Sequence, residues 1–228
     1  MSNSYLHSAA SAQGPRRYQQ DRWLCNPAAG IFAVADGMGG HESGDVAAEA
    51  AIGVLGNQAP TGAPSAEAMA AWFAEADRLV RAMALPCRVT GTDQHKMSCY
   101  CPGSPGTTLT ALWMGPQGAV LGHSGDSMCW RVREGQPLPL TALHRSPFGS
   151  LTQAIGHDMD PQIQVLNVAP GDLFILHTDG LDVLHEKGLF EALCGQDASN
   201  LAQLLADAAL AAGTQDNVTV VAVRVRGG

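Results

Sequence analysis

The chain has 228 residues, 46% of them hydrophobic and only 15% charged, a composition that builds a globular core and excludes wholesale disorder. Acids outnumber bases 21 to 13, for a formal net charge of −8. That argues against nucleic acid and anionic membrane surfaces as partners, because both are bound mainly through Lys and Arg. No run of about 18 apolar residues occurs, and residues 1–7 carry no basic start followed by an apolar stretch. The expectation is a single cytoplasmic domain over 1–228, with its six cysteines mostly reduced and Cys25, Cys129 and Cys194 acting as small buried hydrophobes.

In chain order, the apolar run 31–35 predicts a buried strand that stops at Asp36 and Gly37. Ser43 is placed to cap a helix with Asp45 in its first turn and an apolar face of Val46, Ala47, Ala50, Ala51, Val54 and Leu55. Ser65 opens a second helix, whose Met69, Trp72, Phe73, Ala76, Leu79, Val80 and Met83 fall at core spacing. Residues 86–106 read as an irregular loop. Short strands are predicted over 107–114, 119–122 and 128–132, with a turn at Glu134-Gly135, then over 162–168 and 173–177. Asn200 and Gln203 match the opening of a helix with Leu201, Leu204, Leu205, Ala208 and Ala209 inside. The last strand, 218–225, is apolar on both faces until Arg224. Strands and helices are segregated rather than strictly alternating, which predicts an α+β domain of antiparallel sheets covered by helices.

Three aspartates share one setting. Asp36 and Asp179 each end a strand and precede glycine, and Asp216 precedes the last strand. Carboxylates brought together repel unless a cation lies between them, and carboxylate with water suits Mg2+ or Mn2+. Glycines beside them let backbone approach a metal or phosphate closely.

Five segments then occur in a telling order: Phe32-Ala-Val-Ala-Asp36-Gly-Met-Gly-Gly-His41, Gly106-Thr-Thr-Leu109, Gly125-Asp126-Ser127, His177-Thr-Asp179-Gly180-Leu181 and Gly213-Thr-Gln-Asp216-Asn217-Val-Thr219. Together they resemble the successive motifs of the bacterial type-2C (PPM-type) metal-dependent protein serine/threonine phosphatases, over nearly the whole chain. The resemblance implies an α-β-β-α sandwich of two antiparallel sheets flanked by helices. It implies two Mg2+ or Mn2+ ions with a weaker third. Asp36 would bridge the two ions, the Gly37 carbonyl would touch one, Asp179 and Asp216 would hold the first, and Asp126 the third. Arg16, five residues before Asp21, would bind substrate phosphate with a fork that Lys cannot reproduce. Asp36 and Arg16 are thus the expected catalytic residues. The implied reaction is hydrolysis of phosphoserine and phosphothreonine in proteins by hydroxide generated between the two ions, with no phosphoenzyme. The implied partners are phosphoproteins made by a serine/threonine kinase, met by a monomer.

Some positions depart from the pattern. Gln20 stands where many members have Glu, which weakens water-mediated binding of the second ion. Met38 stands where eukaryotic members have His, and it cannot donate a proton; His41 is nearby. Asp182 comes one residue earlier than the family's further Asp and is a candidate ligand through a one-residue deletion. The flap is short, reduced to 144–156. Cys87, His95, Cys99 and Cys101 form a zinc-like set without the usual spacing. The alternative, a phosphatase-like binding or regulatory module without turnover, has to account for the retention of Asp36, Asp179 and Asp216 together.

Overall fold

A computed structural model describes residues 5–38, 43–58, 62–83 and 104–227. His41 and the set Cys87, His95, Cys99 and Cys101 lie outside the described residues. The strands are β1 (Tyr5–Ala12), β2 (Asp21–Asn26), β3 (Ile31–Met38), β4 (Gly106–Thr107), β5 (Leu109–Gly115), β6 (Gly118–Ser124), β7 (Met128–Arg133), β8 (Gln136–Pro139), β9 (Gln162–Leu166), β10 (Leu173–His177) and β11 (Val218–Val225). The helices are α1 (Gly44–Gly56), α2 (Ala66–Met83), α3 (Asp182–Glu186), α4 (Phe190–Leu193) and α5 (Leu201–Ala211), with a 3-10 turn at Asp179–Leu181. One sheet runs β1-β11-β10-β7-β8 and the other β2-β3-β5-β6-β9, with β4 added to β3. All pairings are antiparallel.

Alternation along each strand sorts its side chains into layers. Ile31, Ala33 and Ala35 of β3 face Ala47, Ala51, Leu55 and Phe73 of the first two helices. Phe32 and Val34 face the opposite way, onto Phe174 and Leu176 of β10 and Val221 and Val223 of β11. The other face of those two strands, Leu173, Ile175, Val220 and Ala222, packs against Leu184, Phe190, Leu201 and Leu205. The result is the expected α-β-β-α order. Among the described residues, no helix is long and apolar enough to cross a membrane.

Local differences from expectation have local causes. β1 and β2 were not legible, because neither carries a clean period-2 pattern: both are mostly half-buried. The predicted strand 107–114 is broken at Thr108, for a reason given below. Ser65 does cap α2, its Oγ accepting from the Ala68 amide at 3.1 Å. Ser43 and Asn200 occupy N-cap positions without a side-chain cap bond, and Gln203 reaches forward to Asp207 instead. Val46 and Leu204 stand at the exposed edges of their helices. Of the free cysteines described, Cys129 and Cys194 are buried and Cys25 half-buried.

Candidate metal centre

The inter-sheet core ends in a polar layer. Continuing the alternation of β3 past Phe32 and Val34 puts Asp36 on the inter-sheet side. The same count along β11, back from Val223 and Val221, reaches Thr219. In register, Asp36 lies directly opposite Asp21 of β2, a like-charge pair that is unfavourable unless something neutralises it. Asp21 is buried, and its Oδ2 accepts from Thr178 Oγ1 at 2.8 Å. Thr178 Oγ1 in turn accepts from the Thr219 amide at 2.9 Å.

Thr108 aims Asp36. Its hydroxyl, rather than its carbonyl, accepts from the Asp36 amide at 2.9 Å, while its own amide donates to the Asp36 carbonyl at 2.9 Å. This side-chain substitution interrupts the ladder of β3 where its partner passes from β4 to β5, and irregularities of that kind recur beside active sites. Gly37 follows, and a Cβ there would lie 2.1 Å from the Gly44 carbonyl oxygen. Only glycine lets the start of α1 approach this closely. Gln20 completes the cradle, its carbonyl accepting from the Gly37 amide at 3.3 Å and its side-chain nitrogen lying against Gly44.

Two loops bring the remaining residues. Asp179 opens the 3-10 turn after β10. Asp216 sits before β11, and its carboxylate pairs with Arg16, whose Nε also donates to the Gln215 carbonyl at 2.9 Å. Asn217 laces these segments together. Its Nδ2 donates to the Gln13 and Tyr18 carbonyls at 2.7 and 3.0 Å, and its Oδ1 accepts from the Gln20 amide at 2.9 Å. Gly14, at φ +59°, passes so close to the Asp216 carbonyl that a Cβ would lie 2.3 Å from its oxygen. Asn217→Ala is expected to cost about 2–4 kcal/mol, three bonds at roughly 1 kcal/mol each. Urea denaturation checks the stability, and faster proteolysis within residues 13–20 reports the loosened loop.

Electrostatics mark the cluster as a cation's place. Burial, then Asp21, Asp179, Asp126 and Asp216, push the Asp36 carboxyl well above its ordinary range. Burial takes Asp21 up to about 7 against the opposing Thr219 and Thr178 bonds, with Asp179 and Asp216 adding to the rise. Burial, Asp126 and Asp216 take Asp179 up to about 6. Burial and Asp179 take Asp182 up to about 7. No N–H or O–H donor reaches Asp179 Oδ1 among the described residues. Divalent ions would relieve each of these penalties.

Among the described residues, no three His, Cys, Asp or Glu side chains close on a point tightly enough to form a metal cage. Mg2+ and Mn2+ do not require one, since such hard ions keep several waters and take few carboxylates. Part of each acidic group is also held by arginine. Arg16 engages Asp216, and Arg145 engages Asp126 and Asp179 at 2.5 and 2.6 Å. The donor set therefore fits hydrated divalent ions.

A protein phosphatase 2C family model matches residues 11–217, a span that contains Arg16, Asp36, Asp126, Asp179 and Asp216. The chain belongs to the protein phosphatase 2C family. Among its relatives is the serine/threonine protein phosphatase PstP of Mycobacterium tuberculosis, 31% identical over 221 residues, which cover 86% of this chain and 40% of that one. The chain thus spans well under half of that relative's length. The serine/threonine phosphatase stp of Listeria monocytogenes is 26% identical, with 85% of this chain and 83% of that one covered. Among solved structures, PppA of Pseudomonas aeruginosa superposes with a TM-score of 0.82 at 26% identity, covering 98% and 99% of the two chains. The PstP catalytic domain in complex with two manganese ions gives 0.79 at 28% identity, covering 98% and 99%.

Asp36, Asp126, Asp179, Asp182 and Asp216 fall in one interacting cluster, with Arg16 at its edge. Thr108, Asn217 and Arg145 were not singled out from sequence as parts of the site. Thr108 and Asn217 lie inside the motifs 106–109 and 213–219, where the neighbouring residues carry the recognisable chemistry. Arg145 had a weaker signal: it is a lone cation in a short flap of a chain poor in charge.

Proposed function

We propose that this chain is a Mg2+- or Mn2+-dependent protein phosphatase that hydrolyses phosphoserine and phosphothreonine. One observation carries the reading furthest: the buried Asp21 directly opposite the half-buried Asp36, beside an Asp179 oxygen that no donor reaches among the described residues, at the motif positions of a phosphatase 2C. Asp36, the Gly37 carbonyl, Asp179 and Asp216 would hold two ions, with Gln20 acting on the second through water. When bound, the ions supply Lewis acidity toward the phosphoryl oxygens and lower the pKa of a water to near neutrality. Asp21 buttresses Asp36 from the facing strand and is itself fixed by Thr178. Arg16 stands half-exposed at the rim beside Asp216, where its planar fork can receive two phosphoryl oxygens. Asn217 holds the loop that carries Arg16 in register with Asp216. Met38 has no proton to give, so the departing serine or threonine oxygen takes its proton from water.

The phosphorylated side chains consumed here are products of serine/threonine kinases acting on proteins, and such phosphoproteins are the partners we assign to a cytoplasmic monomer. The test is hydrolysis of p-nitrophenyl phosphate and of a phosphothreonine peptide with Mn2+, with and without EDTA. Turnover that EDTA abolishes and Mn2+ restores is the expected result. No turnover at any Mn2+ concentration would instead favour a phosphatase-like binding module.

A further inference from the structure

Arg145 is the one residue of the short flap that reaches into the carboxylate cluster, and it does so with all three guanidinium nitrogens. Nε meets Asp126 Oδ2 at 2.5 Å, Nη2 meets Asp179 Oδ2 at 2.6 Å, and Nη1 lies 3.5 Å from Asp182 Oδ2. Each nitrogen faces a different aspartate. Asp126 is the residue at which the sequence pattern would put a third, weaker ion.

The flap backbone is built to deliver this side chain. The His144 amide donates to the Gly125 carbonyl at 2.9 Å, and the Gly125 amide donates to His144 Nδ1 at 3.1 Å, so the residue before Arg145 is clamped to the residue before Asp126. The His144 ring packs at a tilt of 38° against His123, with centroids 4.7 Å apart. The buried His123 is held by Thr110 Oγ1 and the Ala142 carbonyl, each at 2.9 Å. On the far side, Arg145 bridges to Leu151, and the Thr152 amide donates to the His144 carbonyl at 2.8 Å.

We propose that the Arg145 guanidinium takes the place of a third divalent ion between Asp126, Asp179 and Asp182, so that the chain binds two ions and excludes a third. The inference rests on the two-ion reading above and deepens it. A guanidinium stays charged across the working pH range, and its hydrogen bonds to carboxylates are charge-assisted. Being tethered, it acts at an effective concentration that a weakly held ion has to exceed from solution. Its hold falls on Asp179 Oδ2 alone and leaves Oδ1 without a donor among the described residues.

The test is Mn2+ stoichiometry, measured on the metal-stripped full chain by the electron paramagnetic resonance signal of free Mn2+ up to several millimolar. The expected result is two ions for the wild type and three for Arg145→Ala, with the third lost again in Arg145→Ala/Asp126→Ala. Arg145→Lys, which keeps a charge, is expected to stay at two. A second readout is the melting temperature. That of Arg145→Ala should keep rising through millimolar Mn2+ where the wild type has levelled off, and this holds even if the variant is poorly folded without metal. Three ions on the wild type, or two on a folded Arg145→Ala, would overturn the proposal while leaving the two-ion reading intact. Fewer than two ions on the wild type would remove both.

Discussion

Asp36→Asn is expected to lower turnover more than ~100-fold, since even outer partners of metal ligands cost 10–100-fold when removed. At the same time it should melt at a higher temperature than the wild type in EDTA at pH 8. The two effects have one cause. Desolvation of Asp36, and then Asp21, Asp179, Asp126 and Asp216, hold its carboxyl well above the ordinary range. In the unfolded chain it ionises freely near pH 4. At pH 8, folding without metal must therefore either bind a proton from a dilute source or bury a repelled charge. An asparagine of the same shape avoids both, but it supplies no anion to a cation. Well below pH 4 the wild-type carboxyl is protonated in both states, and the gap in melting temperature should close. Mn2+ should raise the wild type's melting temperature by more than the variant's. A variant less stable than the wild type in EDTA at pH 8 would contradict the placement of Asp36 in a repelled cluster.

The metal-free wild type should itself lose stability between pH 6.5 and pH 8. Asp21 at about 7, Asp182 at about 7, Asp179 at about 6 and the still higher Asp36 all rise from an ordinary value of 3.8. The folded state therefore holds more protons than the unfolded one from about pH 4 upward. Stability fully present below that pH drains away as each folded value is passed. Burial of His123 and His177, which are lowered to about 4 and about 3, works in the opposite direction. It penalises the folded state only below about pH 6.5, where the unfolded histidines take up protons. The two slopes oppose each other on the acid side, and only the carboxylate slope survives above pH 6.5. Saturating Mn2+ displaces those protons and should flatten the fall, so the stabilisation conferred by Mn2+ grows with pH. Scanning calorimetry in EDTA and in Mn2+ at pH 6.5, 7.2 and 8.0 checks this. A metal effect that shrinks with pH would refute it.

The motif aspartates were legible because their signal is short-range. Asp36 ends an apolar run, Asp179 ends another, and each is punctuated by glycine. The layered fold was legible from the segregation of strands and helices. The structure that holds the site was not, because its signals are spread over long separations. β1 and β2 are half-buried and lack a clean alternation, and β1 is defined by its pairing with β11. Thr108 looks like one more β-branched strand residue until its hydroxyl is seen to replace a carbonyl in the ladder. Asn217 reads as a turn residue, yet its three bonds go to residues 13, 18 and 20. Arg145 follows His144 in a segment without periodicity, and only the clamp between His144 and Gly125 shows where it points. Capping signals misled in two of three cases. Ser65 caps α2 as expected, whereas Ser43 and Asn200 hold the N-cap position without a side-chain cap bond.

The lacing by Asn217 also has a kinetic consequence. Its bonds to Gln13, Tyr18 and Gln20 span sequence separations of 204, 199 and 197 residues, and the Arg16 contacts to Gln215 and Asp216 span 199 and 200. Closing loops of that length is entropically unfavourable, and contacts of this kind form late in folding. The ribosome would already have released most of the β-sandwich before β11 emerged. The contact between Arg16 and Asp216 would then be completed only when β11 docks, so the carboxylate cluster stays incomplete in a nascent chain until residues 213–225 are in place.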